Sequence, residues 1–316
     1  MYGPADLLEF RDIPKPSPAE DEVLIEVRAT GLNAADRLLM HGEPFAVRVM
    51  AGGPRRPRAD HVLGRAVAGR VAEAGVRVTT LRPGDEVYAE CTGALAEYVS
   101  APAQLVAPKP ASLGFAQAAT LPVAATAALQ ALRDCGQVRE DQRVLVNGAS
   151  GGVGTFAVQI AAAYGARVTA VCATRNLGLV RSLGAVEAVD CTREDFTAAT
   201  GRYDVILDLV GDHPLGALRR ALVPSGTLVL SAGTGGRWLG PTRRLAAALM
   251  VSPFVQQRLR PFAASRTRDD LIVLDRMVAT GDLHAVIGRI YPFAEAITAL
   301  HHLDHGHPVG NLVVTT

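Results

Sequence analysis

The sequence predicts a two-domain α/β protein: one β-rich domain, and one doubly wound domain in which helices cover both faces of a parallel sheet. Three observations carry that prediction. A glycine-dense turn, Asn147 to Gly154, stands between an apolar strand and a helix with an apolar face. After it, strands and helices alternate as a parallel sheet requires. Before it, from Met1 to about Pro110, short strand-like segments follow one another with turns and no helical alternation.

In chain order, Glu22–Arg28 alternates apolar and polar residues like a half-buried strand. Arg65–Ala74 is a second strand, and Pro83-Gly84-Asp85 turns the chain into Glu86–Ala89. Ala94–Ser100 and Gln104–Ala107 complete the β run. From Ala111 to Arg133 the chain is alanine-rich and helical, with Pro122 marking a start or a kink. Val144–Val146 then has the apolar, β-branched character of a buried parallel strand, and Thr155–Tyr164 reads as a helix. Strands follow at Arg167–Cys172, Ala185–Asp190, Val205–Val210 and Thr227–Ser231, with helices at Leu177–Leu183 and Pro214–Val223. Arg237–Ala263 interleaves arginines with large apolar residues such as Trp238, Leu239, Leu245, Leu249, Met250, Phe254 and Phe262. A lid over a hydrophobic substrate, a dimer contact and an amphipathic helix pair on the sheet all suit that pattern. Asp269–Thr280 is helical, while Gly288–Tyr291 and Asn311–Thr315 are β-like, so the end is of the same class as the beginning.

The bulk numbers exclude several function classes. A length of 316 residues allows two cores, and a net charge of +1 gives no support to a nucleic-acid or acidic partner. Lys15 and Lys109 are the only lysines, each between prolines, which argues against a Schiff-base mechanism. Cys91, Cys135, Cys172 and Cys191 are scattered, without metal spacing or a disulfide framework. No charged-then-apolar leader is present, and the apolar stretches are interrupted. A soluble cytoplasmic protein with no membrane span is expected.

The glycine turn carries the chemistry. A backbone that turns tightly and approaches a pyrophosphate cannot tolerate a Cβ, and the following helix N-terminus supplies N–H groups and a positive dipole end. Ser150, Gly151, Gly152, Val153 and Gly154 are therefore the predicted dinucleotide contacts. An NAD site usually carries a carboxylate at the end of its second strand, for the ribose hydroxyls. Here that strand runs into Ala173-Thr174-Arg175-Asn176, and no carboxylate occurs between Gly154 and Glu187. Thr174 and Arg175 suit a 2′-phosphate instead, so NADPH is expected over NADH. The plainer alternative leaves Arg175 solvated near a helix start.

Five segments together resemble a known family: Ala29-Thr-Gly-Leu-Asn-Ala-Ala-Asp36, Val62-Leu-Gly-Arg-Ala-Val-Ala-Gly69, Arg82-Pro-Gly-Asp-Glu-Val87, Asn147-Gly-Ala-Ser-Gly-Gly-Val-Gly154 and Tyr203-Asp-Val-Ile-Leu-Asp208. They lie in order over most of the chain and resemble the zinc-independent medium-chain dehydrogenase/reductases that include quinone oxidoreductase and zeta-crystallin. The resemblance implies a GroES-like β domain (1–112 and 283–316), an inserted Rossmann domain (113–282), a cleft between them and a homodimer. It places Thr126, Ser231 and Gly233 at the nicotinamide end, adds Val210 as a cofactor contact, and makes Asn33 the catalytic candidate. The Asn33 amide would contact the substrate oxygen or the nicotinamide ribose; satisfying a turn is the competing role. Asp36 is expected to cap the next short helix.

Zinc-dependent relatives carry a Cys where Asn33 stands and a His-Glu pair near Gly64-Arg65, so no metal is expected. His301, His302, His305 and His307 read as a solvated or capping cluster in a C-terminal turn. The chain also departs from its relatives. Ala173 and Cys191 replace a Ser and a Tyr that hold the phosphate, Ala66 replaces an Asp, and Asn311 replaces a Lys. The family's first strand precedes Tyr2-Gly3-Pro4, so either the start lies upstream or an edge strand is lacking. The resulting expectation is an NADPH-dependent reductase of a small hydrophobic quinone or α,β-unsaturated carbonyl, with solvent as the proton source. Its rivals are an enoyl-thioester reductase, with Arg55, Arg56 and Arg58 as a basic patch, and a non-catalytic NADPH-binding homologue.

Overall fold

A computed structural model describes residues 2–43, 45, 48, 53, 61–231 and 242–316, the side chains of 242–245 excepted. The chain divides into two compact units. The first holds residues up to Thr126 together with Arg266–Gly281 and Ala285–Thr316, and the second holds Ala127–Ser265 and Asp282–His284.

The first unit is built on a seven-stranded sheet of β1 (Glu22–Leu32), β2 (Ala66–Ala74), β3 (Glu86–Glu90), β4 (Tyr98–Pro102), β5 (Val106–Pro108), β12 (Ile287–Pro292) and β13 (Asn311–Thr315). Its order is β12-β13-β1-β2-β3-β5, with β4 also paired to β1. Alternation along β1 sends Val23, Ile25 and Val27 into a core with Val67, Val71, Val87, Val99 and Val106. The strand runs past Arg28 to Leu32 because Ala29–Leu32 pairs with Thr315–Leu312 on one side and with β2 on the other. The expected strand at Ala94–Ser100 begins only at Tyr98.

A second core joins Leu32, Leu63, Leu312 and Val314 to two helices, α1 (Ala34–His41) and α8 (Ala296–His305); α7 (Arg268–Thr280), the helix expected at Asp269–Thr280, precedes α8 in the chain. The α8 helix corrects the reading of its histidines as a turn. Ala296, Ala299, Leu300 and Leu303 recur at helical spacing and face this core. That places His301, His302 and His305 on a helix, with His307 just beyond it. His301 pairs with Asp6, His302 bonds the Tyr291 hydroxyl, and His41 of α1 reaches Asp304 at 2.8 Å. Asn311, in place of a lysine, is buried and bonds the Val286 carbonyl.

The helical run α2 (Phe115–Gly136) carries the chain out of the first unit. It widens into π-helical turns at Leu121–Ala125, where Pro122 lacks an N–H, and again at Ala131–Gly136. By length and composition it could cross a membrane, but 78% of its most apolar window is buried inside the protein, as for a core helix.

The second unit is a six-stranded parallel sheet ordered β11-β10-β9-β6-β7-β8: β6 (Arg143–Asn147), β7 (Arg167–Cys172), β8 (Glu187–Asp190), β9 (Tyr203–Asp208), β10 (Leu222–Leu230) and β11 (Arg258–Pro261). Strand order reverses between β6 and β9, the switch point at which such sheets bind dinucleotides. Helices α3 (Gly152–Ala163), α4 (Leu177–Ser182) and α5 (Leu215–Ala221) fill the connections. The fold class matches the expectation, with one correction in the arginine-rich segment. It holds α6 (Thr242–Val251) and then the edge strand β11, with Leu259 pointing into the core between exposed Arg258 and Arg260. Ala248 and Val251 of α6 pack on the sheet core, whereas Leu249, Met250 and Phe254 are exposed, Phe254 at 86%. Trp238, Leu239, Arg55, Arg56 and Arg58 lie outside the described residues, as do the side chains of Arg243, Arg244 and Leu245.

Candidate functional site

In the second unit the glycine turn leaves the C-terminal end of β6 at the switch point. Gly148 takes φ +85°, and its N–H and that of Ala149 donate to the Val171 carbonyl of β7. Gly151 stands at the N-cap of α3, so the N–H groups of Gly152, Val153 and Gly154 open that helix without intrahelical acceptors. Two glycines are sterically obligatory. A Cβ on Gly154 would lie 2.1 Å from the Gly148 carbonyl oxygen, and one on Gly148 would lie 2.9 Å from Val210 Cγ2. The turn is therefore close-packed, with the N–H groups of Gly148, Ala149 and Gly151 bonded within the protein and those of Gly152, Val153 and Gly154 at the helix start, the arrangement a pyrophosphate requires.

Buried polar groups behind the turn fix it. Asp208, fully buried at the end of β9, accepts from Asn147 Nδ2 at 2.9 Å and from the N–H groups of Val210 and Gly211. One carboxylate thus ties the residue before the glycine turn to the loop after β9. The Ser231 N–H donates to the Asp208 carbonyl, so Val210 and Ser231 flank the same strand ends. Asn176 Nδ2 donates to Ser150 Oγ at 2.9 Å, joining the turns after β6 and β7. Asn147, Asp208 and Asn176 had no predicted role. A polar residue closing an otherwise apolar strand is the signal that marks the first two. Gly233 lies outside the described residues.

At the end of β7, Arg175 is exposed on the short turn Thr174–Asn176, one position after Thr174. Here Thr174 departs from the expected role. Its hydroxyl donates to Asp190 Oδ2 at 2.5 Å, while Thr192 donates to Oδ1 from both its N–H and its hydroxyl. These bonds, Thr174's foremost, hold the Asp190 carboxyl below the usual carboxylate range. A carboxylate therefore reaches the end of the second strand after all, supplied by the third.

In the first unit, Asn33 is the N-cap of α1, and its Nδ2 donates to the Gly31 carbonyl at 2.9 Å. Asp36, on the first turn of that helix, accepts from the Asn33 N–H at 2.8 Å and from the Gly64 N–H at 3.1 Å. It thus pins the start of α1 to the segment leading into β2. Asp36 is fully buried, and burial pushes its carboxyl up from 3.8 to about 6, against the pull of the two N–H donors and of Arg65. Next to it Arg65 pairs with Glu90, which Arg266 Nε also approaches at 3.3 Å. Burial raises the neighbouring Cys91 thiol to about 12, so it stays protonated and unreactive at neutral pH. Ala66 is buried opposite Glu90 in register. Thr126, in the second π-free stretch of α2, is 1% exposed, and its Oγ1 has no hydrogen-bond partner among the described residues. An orphaned buried hydroxyl is uncommon and invites an external partner.

A pyrophosphate fits the glycine turn: a Cβ on Gly154 would strike the Gly148 carbonyl, so the close turn that opens the N–H groups of Gly152, Val153 and Gly154 needs glycine. Among the described residues no three His, Cys, Asp or Glu side chains gather as a metal would need.

Comparisons with known proteins show the family and the fold. A family described as alcohol dehydrogenase GroES-like domain matches residues 19–111, and one described as zinc-binding dehydrogenase matches residues 183–314. The chain is 31% identical to a chloroplast envelope quinone oxidoreductase homolog of Arabidopsis thaliana, over 99% of this chain and 95% of that protein. It is 32% identical to an NADPH-dependent alkenal/one oxidoreductase from the chloroplast of the same plant, over 99% of this chain and 77% of that one. The solved quinone oxidoreductase of Coxiella burnetii superposes with a TM-score of 0.85 at 29% identity, covering 100% of this chain and 96% of that chain.

Proposed function

The chain belongs to the medium-chain dehydrogenase/reductase family, in its quinone oxidoreductase branch, and from that premise we propose that it reduces quinones or α,β-unsaturated carbonyls with NADPH. The observation that carries the proposal is the glycine cradle at the switch point of the parallel sheet. The relatives' names supply the substrate class and the cofactor.

Ser150 and the N–H groups of Gly152, Val153 and Gly154 hold the pyrophosphate, the Gly151 N–H being spent on the Gly148 carbonyl; Arg175 takes the 2′-phosphate, and Val210, Ser231 and Thr126 line the rest of the cofactor. NADPH, when bound, supplies the hydride. In a conjugated carbonyl the arriving charge moves to the oxygen, so a neutral donor suffices to steady it. We assign that task to Asn33. One N–H of its amide is spent on Gly31, which fixes the plane of the group and leaves the second N–H to donate. Asp36 holds the Asn33 backbone from behind, and water supplies the proton that completes the product.

We read the reaction as metal-free, because an amide at position 33 and a guanidinium at position 65 are not zinc ligands. Four free cysteines suit a reducing compartment, the cytoplasm. Exposed Leu249, Met250 and Phe254 beside the edge strand β11 suit a homodimer.

The test is a titration of metal-stripped protein with NADPH, followed by turnover with a naphthoquinone and an enone. NADPH should bind, about tenfold more weakly in Arg175→Ala, and should be oxidised by either substrate. Absence of binding overturns the proposal. Oxidation by a crotonyl thioester alone overturns the substrate class.

A further inference from the structure

The end of β7 places a hydroxyl, a carboxylate and a guanidinium where the adenosine ribose of a dinucleotide lies in this fold. An ionised carboxylate only accepts hydrogen bonds, so every proton around Asp190 belongs to its partners. Thr192 has given its hydroxyl proton to Oδ1 at 2.7 Å, and Thr174 has given its own to Oδ2 at 2.5 Å. The second distance is that of a charge-assisted O–H···O⁻ bond, the strong kind. The two threonine oxygens also lie 3.2 Å apart, with no hydroxyl proton left to join them. Arg193 approaches Asp190 Oδ2 from solvent at 3.6 Å, too far for a hydrogen bond. The exposed Thr174 oxygen therefore offers lone pairs and no proton. Ala173 and Cys191, on either side, add no strong donor of their own.

At neutral pH a 2′-phosphate is mostly dianionic, with few protons to give, so it gains little from Thr174 and is repelled by Asp190. A ribose 2′-hydroxyl carries a proton and finds an acceptor waiting. Arg175 acts in the opposite direction. We propose that Asp190 is a specificity-determining residue which, by holding the Thr174 hydroxyl proton, admits NADH alongside NADPH and makes this protein a user of both cofactors. The inference rests on the dinucleotide-binding reading above and deepens it.

The test is equilibrium binding of NADPH and NADH, each followed by nicotinamide fluorescence, to the wild-type protein, Asp190→Asn and Thr174→Val. Taking the ratio of the two affinities within one preparation cancels any loss of folded protein. Wild type should bind both, within about tenfold of each other. Asp190→Asn removes the charge and releases the threonine proton, so its preference should shift toward NADPH by about fivefold. Thr174→Val removes the acceptor and should weaken NADH by about fivefold while leaving NADPH unchanged. Equal effects on the two cofactors in both variants overturn the inference and leave dinucleotide binding standing. Failure of the wild type to bind either cofactor overturns both.

Discussion

Replacing Asp36 with Asn tests the first unit's buried carboxylate. Burial raises the Asp36 pKa from 3.8 to about 6, a shift of roughly 2 units and therefore about 3 kcal/mol of linkage. The sign follows from where the proton is held. Between the two values the folded protein keeps a proton that the unfolded chain has released. This contribution is fully present below the unfolded pKa and is lost as pH rises through the folded one. Roughly 2 kcal/mol of it falls between about pH 4.5 and 7.5. In Asp36→Asn the amide oxygen keeps one of the donors from Asn33 and Gly64, and the amide nitrogen faces the other. That loses a hydrogen bond but leaves nothing to titrate. The variant should be the less stable protein at low pH, and the gap should close by roughly 2 kcal/mol on raising pH across that range. Other titrating groups cancel in the comparison. Hydrogen exchange of the β1 amides reports the first unit by itself. Parallel pH profiles for the two proteins would refute the reasoning.

Two further substitutions probe the proposed cofactor contacts. Gly154→Ala drives a methyl to 2.1 Å from the Gly148 carbonyl oxygen. It should open the turn, lower stability by about 1–3 kcal/mol and weaken NADPH at least about tenfold; a calorimetric titration with unchanged affinity contradicts this. Thr126→Val removes a buried hydroxyl that has no partner among the described residues. Thermal unfolding of the ligand-free protein should rise, by up to about 1 kcal/mol of stability, while NADPH affinity falls. Movement of both in the same direction contradicts the assignment of Thr126 to the cofactor.

Much of this was legible in the sequence because it rests on local chemistry. Asn147 to Gly154 announced its turn through glycines that only a close backbone approach explains, and the strand at Arg167–Cys172 came out to the residue. What escaped depends on partners distant in the chain. β1 continues to Leu32 because β13 arrives to pair with it, and nothing in Ala29-Thr-Gly-Leu32 declares that partner. β11 is four residues long, and its single inward side chain, Leu259, leaves too little alternation to detect. The α8 helix is legible in the spacing of Ala296, Ala299, Leu300 and Leu303, although His301, His302 and His305 interrupt its polar face with a cluster that also suits a turn. At the ribose end the sequence showed no carboxylate in the second strand, and that was true. The carboxylate that matters sits at the end of the third strand, brought alongside by parallel pairing of Cys172 with Asp190.

The pairing of β13 with β1 also sets an order of assembly. The strand that pairs beside Ala29–Leu32 begins only at Asn311, after every strand of the second unit. At about 5–20 residues per second, ribosomes need roughly 15–60 s to travel from β1 to β13. Throughout that interval the outer half of β1 presents open N–H and C=O groups, a template for stray pairing. The second unit meanwhile has its whole sheet in hand. The nascent chain should thus complete the second unit's sheet, glycine turn included, before the sheet around Ala29–Leu32, and chaperone dependence or premature termination should fall on the first unit.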